Sequence, residues 1–169
     1  MRKLLALVLL LALCGCGGKG HQTKAPPPPA AQGPPALYLV TQAGTHRLDP
    51  GSSCVESATK SVCGDSAYVP VKVLYPVRRG ETVRLRVAAR TPGAALSIGR
   101  PGCPTSELAQ VRLRGPKLEW RVELRPGDYE VRAQVVHFKT DDGRRGDVSG
   151  QIGIRVGGVH TEPVTATPC

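Results

Sequence analysis

Aliphatic and polar residues alternate one for one along several stretches of this chain, and arginine is the usual polar partner. Thr82-Val83-Arg84-Leu85-Arg86-Val87 puts aliphatics on one side and arginines on the other. Val111-Arg112-Leu113-Arg114 repeats the pattern, as do residues 118–125 and 129–135. Successive side chains of a strand point to opposite faces, so this alternation predicts half-buried strands with one wet face. Less regular candidates are residues 37–42, 69–75, 94–98 and 151–156. Turn signals separate them: Arg79-Gly80, Pro92-Gly93, Gly115-Pro116, Pro126-Gly127 and Asp142-Gly143. No apolar period of 3.6 residues is long enough to predict a helix, although residues 52–62 have room for one helical turn. Seven or eight short strands with close turns predict an all-β fold, a single antiparallel β-sandwich.

The N-terminal residues follow a different rule. Arg2 and Lys3 precede an unbroken apolar run over residues 4–13. That run is too short for a hydrocarbon core of about 30 Å, which takes about 20 residues, but it suits the apolar region of a signal peptide. It leads into Leu13-Cys14-Gly15-Cys16-Gly17. The sequence resembles the lipobox of bacterial lipoproteins, Leu-x-(Gly/Ala)-Cys, where a signal peptidase cuts just before a cysteine that carries diacylglycerol. Cutting before Cys16 sets small Gly15 at the cleavage position, whereas cutting before Cys14 would set bulky Leu13 there. The resemblance implies a signal peptide over residues 1–15, palmitate-type acylation at Cys16, and membrane attachment without a transmembrane helix. It implies a lipid-anchored protein of the bacterial cell envelope. Gly17 in place of Asp after the acylated cysteine points to the outer membrane. Residues 16–36 then form a linker: proline, glycine and small polar residues bury too little to offset ordering entropy. Pro26 to Pro29 favour an extended polyproline II spacer.

Residues 37–169 are left for the sandwich domain, a common single-domain size. Aromatic residues make up only 4 % of the chain against 40 % for apolar residues as a whole, so the core has to rest on Val, Leu, Ile and Ala. The single Trp120 is expected to face that core. Leu124-Arg125-Pro126-Gly127-Asp128-Tyr129-Glu130-Val131 resembles the Leu-x-Pro-Gly-x-Tyr-x-Val crossover of immunoglobulin-like and fibronectin type III-like sandwiches. The resemblance implies that Tyr129 packs into a corner and bonds back to upstream backbone. A transthyretin-like strand order is also compatible with these residues.

Once Cys14 leaves with the signal and Cys16 is acylated, Cys54, Cys63, Cys103 and Cys169 remain, an even number for an oxidising compartment. Three pairings are open. Cys54 with Cys63 is favoured as a local staple, with Cys103 then taking Cys169. Metal binding is not expected: the cysteines lack the close Cys-x2-Cys pairs of a zinc site, and His46, His137 and His160 are scattered.

The formal net charge is +10, two of which leave with Arg2 and Lys3. Much of the rest sits on the outward side of predicted strands, at Arg84, Arg86, Arg112, Arg114, Arg121, Arg125 and Arg132. On neighbouring strands these arginines would make one cationic sheet face, which calls for interleaved acids or an anionic partner. Nucleic acid is not that partner, because the protein is exported and lacks aromatic stacking platforms. Anionic polysaccharide and lipid headgroups are the envelope candidates. No Gly-x-Ser-x-Gly, His-Glu-x-x-His, phosphate loop or dinucleotide fingerprint occurs, and no cofactor is expected. Asp141-Asp142 belongs to a hairpin signal, and Arg145-Gly146-Asp147 is a tripeptide that arises often by chance. The expected role is a non-catalytic binding or scaffolding module in an envelope protein assembly. A reader of anionic glycans or headgroups is the alternative, and an enzyme with an unrecognised site a distant one.

Overall fold

The computed structural model describes residues 33–157 and 162–166. Cys16, the signal peptide and nearly all of the linker lie outside them, as do His160 and Cys169. The described part belongs to one compact unit, Ala31–Cys169.

Every regular element among the described residues is a strand. In chain order these are β1 (Leu37–Thr41), β2 (Gly44–Arg47), β3 (Asp49–Glu56), β4 (Ser61–Gly64), β5 (Val73–Val77) and β6 (Thr82–Val87). There follow β7 (Gly93–Gly99), β8 (Ala109–Arg114), β9 (Glu119–Arg121), β10 (Gly127–Lys139), β11 (Arg145–Val156) and β12 (Val164–Thr165). A four-stranded sheet has the order β2-β1-β6-β9. The larger sheet runs β12-β5-β11-β10-β7-β8, and β3 joins the near half of β11 with β4 outside it.

The all-β sandwich stands as the alternation predicted, with twelve strands in place of seven or eight. The difference comes from short elements and from β3. Residues 52–62 form no helical turn; they belong to the β3–β4 hairpin, in which Cys54 lies opposite Cys63. One pairing also departs from antiparallel: β5 runs parallel to β11 over Leu74–Val77. Long β11 can serve both β3 and β5 because its two halves offer the same edge to different partners.

The core lies between the sheets. Leu39, Val83, Leu85 and Val122 come from the smaller sheet and its extension, and Leu96, Ile98, Val131, Val135, Ile152 and Ile154 come from the larger. Trp120 is buried among them. Few aromatics suffice because aliphatics from two facing sheets interdigitate in a layer about 10 Å thick.

Local bonds fix the corners. Buried Glu81 accepts from the backbone N–H of Gln42 and, at 2.9 Å, from that of Arg78, tying the β1–β2 turn to the β5–β6 turn. The Tyr129 hydroxyl donates to the carbonyl oxygen of Arg125, four residues upstream, at 2.9 Å. Cys54 and Cys63 are joined by a disulfide across the β3–β4 pair. Cys103 is disulfide-bonded as well; its expected pairing with Cys169 lies outside the described residues.

Candidate functional site

Register decides what the outer face of the larger sheet presents. Gln110 lies opposite Ser97, Ser97 opposite Arg132, Arg132 opposite Gln151, and Gln151 opposite Asp49. The neighbouring row runs Arg112, Ala95, Gln134, Ser149. With strands about 4.8 Å apart, the five-residue row spans about 19 Å. Small Ala95, Ser97 and Ser149 make a low floor between longer side chains. The loops before β5 and between β7 and β8 supply Tyr68, Val69 and Glu107 at the rim. The result is a groove of about 850 Å³.

Much of its wall is already held in place. Glu107 accepts from Ser97 Oγ at 2.9 Å and from Gln110 Nε2 at 2.9 and 3.1 Å, and these bonds hold its carboxyl below the ordinary carboxylate value. Ser149 donates to the Ser52 carbonyl at 3.0 Å, and Gln151 donates to that of Val69. Two floor side chains are different. Arg112 and Gln134 have no hydrogen bond or ion pair among the described residues. They lie in one row on β8 and β10, with Ala95 of β7 between them.

Beneath one end of the groove lies a charged cluster. Glu130 is fully buried, and its Oε2 accepts from the Tyr68 hydroxyl at 2.7 Å and from the Gly102 N–H at 3.4 Å. Its Oε1 lies 2.9 Å from Arg132 Nε, but the N–H does not point at the oxygen, so this contact is Coulombic and no hydrogen bond. The other arms of the Arg132 guanidinium donate to the carbonyls of Pro104 at 2.6 Å, and Cys103 and Ser106 at 3.3 Å. Desolvation, and then the bond to the Glu130 carboxylate, push the Tyr68 hydroxyl up to about 12. Gly99 is needed beneath this loop, since a Cβ there would sit 2.2 Å from the Ser106 carbonyl oxygen.

The structure does not gather the six predicted anion-binding arginines on one face. Arg84, Arg86 and Arg121 lie on β6 and β9 of the smaller sheet, and Arg112, Arg114 and Arg132 lie on β8 and β10 of the larger. Arg132 is engaged by Glu130 and three loop carbonyls, so it serves as a structural cation. Only Arg112 among the six is both in the groove and unengaged. Arg125 is exposed on the segment between β9 and β10. Sequence reasoning missed Gln134, Ser97 and Glu107, whose residue types carry no motif; only their cross-strand alignment makes them a surface.

The other residues singled out by sequence are occupied locally. Asp141 pairs with Arg90 at 3.0 Å, and Asp142 accepts from Thr140 and Arg144 within the β10–β11 turn. The Thr140 bond, ahead of Arg144, holds the Asp142 carboxyl below its ordinary value. Arg145-Gly146-Asp147 lies inside β11 and not on a loop tip. A Cβ on Gly146 would meet the Cys54 carbonyl oxygen at 1.9 Å. His137 sits at the bulge of β10 with a φ of 56°, and its backbone N–H donates to Asp147 at 2.8 Å. No set of three His, Cys, Asp or Glu side chains is placed to hold a metal among the described residues.

Comparison with protein-family models, with curated proteins and with solved structures returns no match to this chain.

Proposed function

We propose that this protein is a lipid-anchored lipoprotein of the bacterial cell envelope, probing its surroundings as a non-catalytic binding module within a protein assembly. Its contact surface is the outer face of the larger sheet. The observation that carries the reading is the groove itself: prearranged polar walls around a floor on which Arg112 and Gln134 are unengaged. Arg112 and Gln134 are both exposed, open to bonds from a partner, and a surface that already fixes its neighbours binds without paying to order them. Tyr68 and Val69, both exposed at the rim, add apolar area beside the hydrogen-bonding floor. The lipobox-like Leu13–Cys16 segment supports the anchor, and the two acyl chains that such a site carries hold a protein stably at a bilayer where one would not.

Photo-crosslinking in intact cells tests the surface. A photoreactive residue replaces Gln134 on the groove floor, and in a second protein it replaces Lys60, exposed in the β3–β4 turn. A defined adduct from position 134 and none from 60 is the expected result. Identical adducts from both positions, or none from 134, refute the assignment. Labelled palmitate entering the parent protein but not Cys16→Ser checks the anchor separately.

A further inference from the structure

The smaller sheet carries a second concavity, of about 460 Å³, where β6 runs past the end of short β9. Four cations line it: Arg84 and Arg86 from β6, Arg90 just beyond it, and Lys117 from the turn between β8 and β9. No carboxylate lines it. Arg84 and Arg86 are two residues apart on one strand and so share its outer face. Lys117 is brought in by a turn with two left-handed residues, Gly115 at φ 81° and Leu118 at φ 46°. Leu118 is buried and lines the same pocket, and a left-handed non-glycine residue is strained, so its surroundings must hold it there.

The positive charge is barely compensated. Among the described residues the only ion pair made by these four cations is Arg90 with Asp141, and both side chains are more than four-fifths exposed. Such a pair contributes little and exchanges readily. Glu119 stands opposite Arg84 in the β6–β9 register but is not within ion-pair distance of it. The Arg86 guanidinium lies 4.6 Å from the centre of the Tyr38 ring, which orients it without neutralising it. We infer that this pocket is a binding site for a phosphate-type anion. A compact group with several charged oxygens can take bonds from two guanidinium forks and an ammonium at once, and guanidinium forks match such oxygens two at a time. The same chemistry is offered by a free phosphate and by the phosphate of a lipid headgroup. The site faces away from the groove and does not depend on the reading of the groove.

The test uses the full-length protein in nonionic detergent at low salt. Inorganic phosphate is titrated in while the Arg Nε and Lys Nζ resonances are followed by NMR. In a second arm the micelles are doped with phosphatidylglycerol, with phosphatidylcholine as the uncharged comparison. Arg84→Gln/Lys117→Gln removes two pocket cations, and Arg79→Gln/Arg114→Gln removes the same charge from exposed positions outside it. The expected result is saturable shifts at Arg84, Arg86 and Lys117, with an affinity about tenfold weaker in the pocket variant and unchanged in the control. Saturation by phosphate identifies a free-phosphate ligand; shifts only with phosphatidylglycerol identify the headgroup. Equal weakening in both variants would mean diffuse attraction and would overturn the site, as would no saturable shift in either arm.

Discussion

Replacing Glu130 with leucine tests whether the charged cluster below the groove is built as described. Glu130 has no exposed surface, and among the described residues its carboxylate meets Arg132, the Tyr68 hydroxyl and the Gly102 N–H. Breaking a buried ion pair from one side costs about 3–5 kcal/mol, because the other charge is stranded. Here the stranded guanidinium keeps three carbonyl acceptors, and its side chain is 29 % exposed. Both facts reduce the penalty, to about 2–3 kcal/mol by the same reasoning. For a domain of this size that lowers Tm by roughly 8–12 °C. Calorimetry on the oxidised protein measures it. The companion Glu130→Leu/Arg132→Met removes both charges and should melt higher than Glu130→Leu alone, since no ion is left unpaired. A Glu130→Leu protein within about 3 °C of the parent, or a double variant that melts lower than the sum of the singles, would refute the account of a stranded charge.

Three further outcomes follow from single contacts. Burial lowers the affinity of His46 for a proton below that of a free imidazole, the ring being stacked on Tyr75 at 4.1 Å. The unfolded chain therefore binds this proton at a higher pH than the folded one, so stability falls as pH drops below 6.5 and levels off beneath the folded value. Urea midpoints between pH 7.5 and 5.5 should show that slope in the parent and a flatter one in His46→Gln; equal slopes would contradict it. Cys54→Ser/Cys63→Ser should lower urea stability by about 2–3 kcal/mol on the chain-entropy estimate for a short loop, and an unchanged midpoint would show that the β3–β4 pair stands without its crosslink. Tyr129→Phe removes one solvent-exposed hydroxyl bond and should cost about 0.5 kcal/mol in the same assay; no loss would mean that the Arg125 carbonyl finds water equally well.

Strands that announce themselves by alternation are strands whose one face is buried and whose other is wet. β6 meets that condition, and its predicted and observed limits coincide at Thr82 and Val87. Residues 118–125 alternate as cleanly, yet only Glu119–Arg121 pair as β9. Leu118 turns left-handed at one end, and beyond the other Val122 exchanges backbone bonds with Gly80 and Glu81 as a bridge to the turn. Residues 49–54 read Asp-Pro-Gly-Ser-Ser-Cys, the composition of a turn, but become β3 because β11 offers a free edge there. Neighbour-dependent pairing of this kind leaves no period in the sequence. Arg132 and Arg112 show the same limit for the site. Both alternate with aliphatics, but the loop over residues 100–106 covers only the first.

The path of the chain explains why one cationic face never forms. β6 belongs to the smaller sheet, β7 and β8 to the larger, β9 to the smaller again, and β10 to the larger. Outward arginines laid down at a steady rate along the sequence are thereby dealt to two surfaces that face apart, as the inner faces of both sheets are taken up by the core. Repulsion among arginines, which a single face would have had to absorb, is diluted over both. Each surface then acquires its own chemistry from what stands beside the arginine. On the larger sheet Arg112 shares the groove with amides, hydroxyls and the carboxylate of Glu107, a setting for hydrogen-bond recognition with one unengaged cation. On the smaller, Arg84 and Arg86 meet Arg90 and Lys117 without a carboxylate in the pocket wall, a setting for charge. Salt should therefore weaken a ligand of the second surface far more than one of the first, because screening acts on exposed charge and leaves bonds among neutral groups nearly untouched.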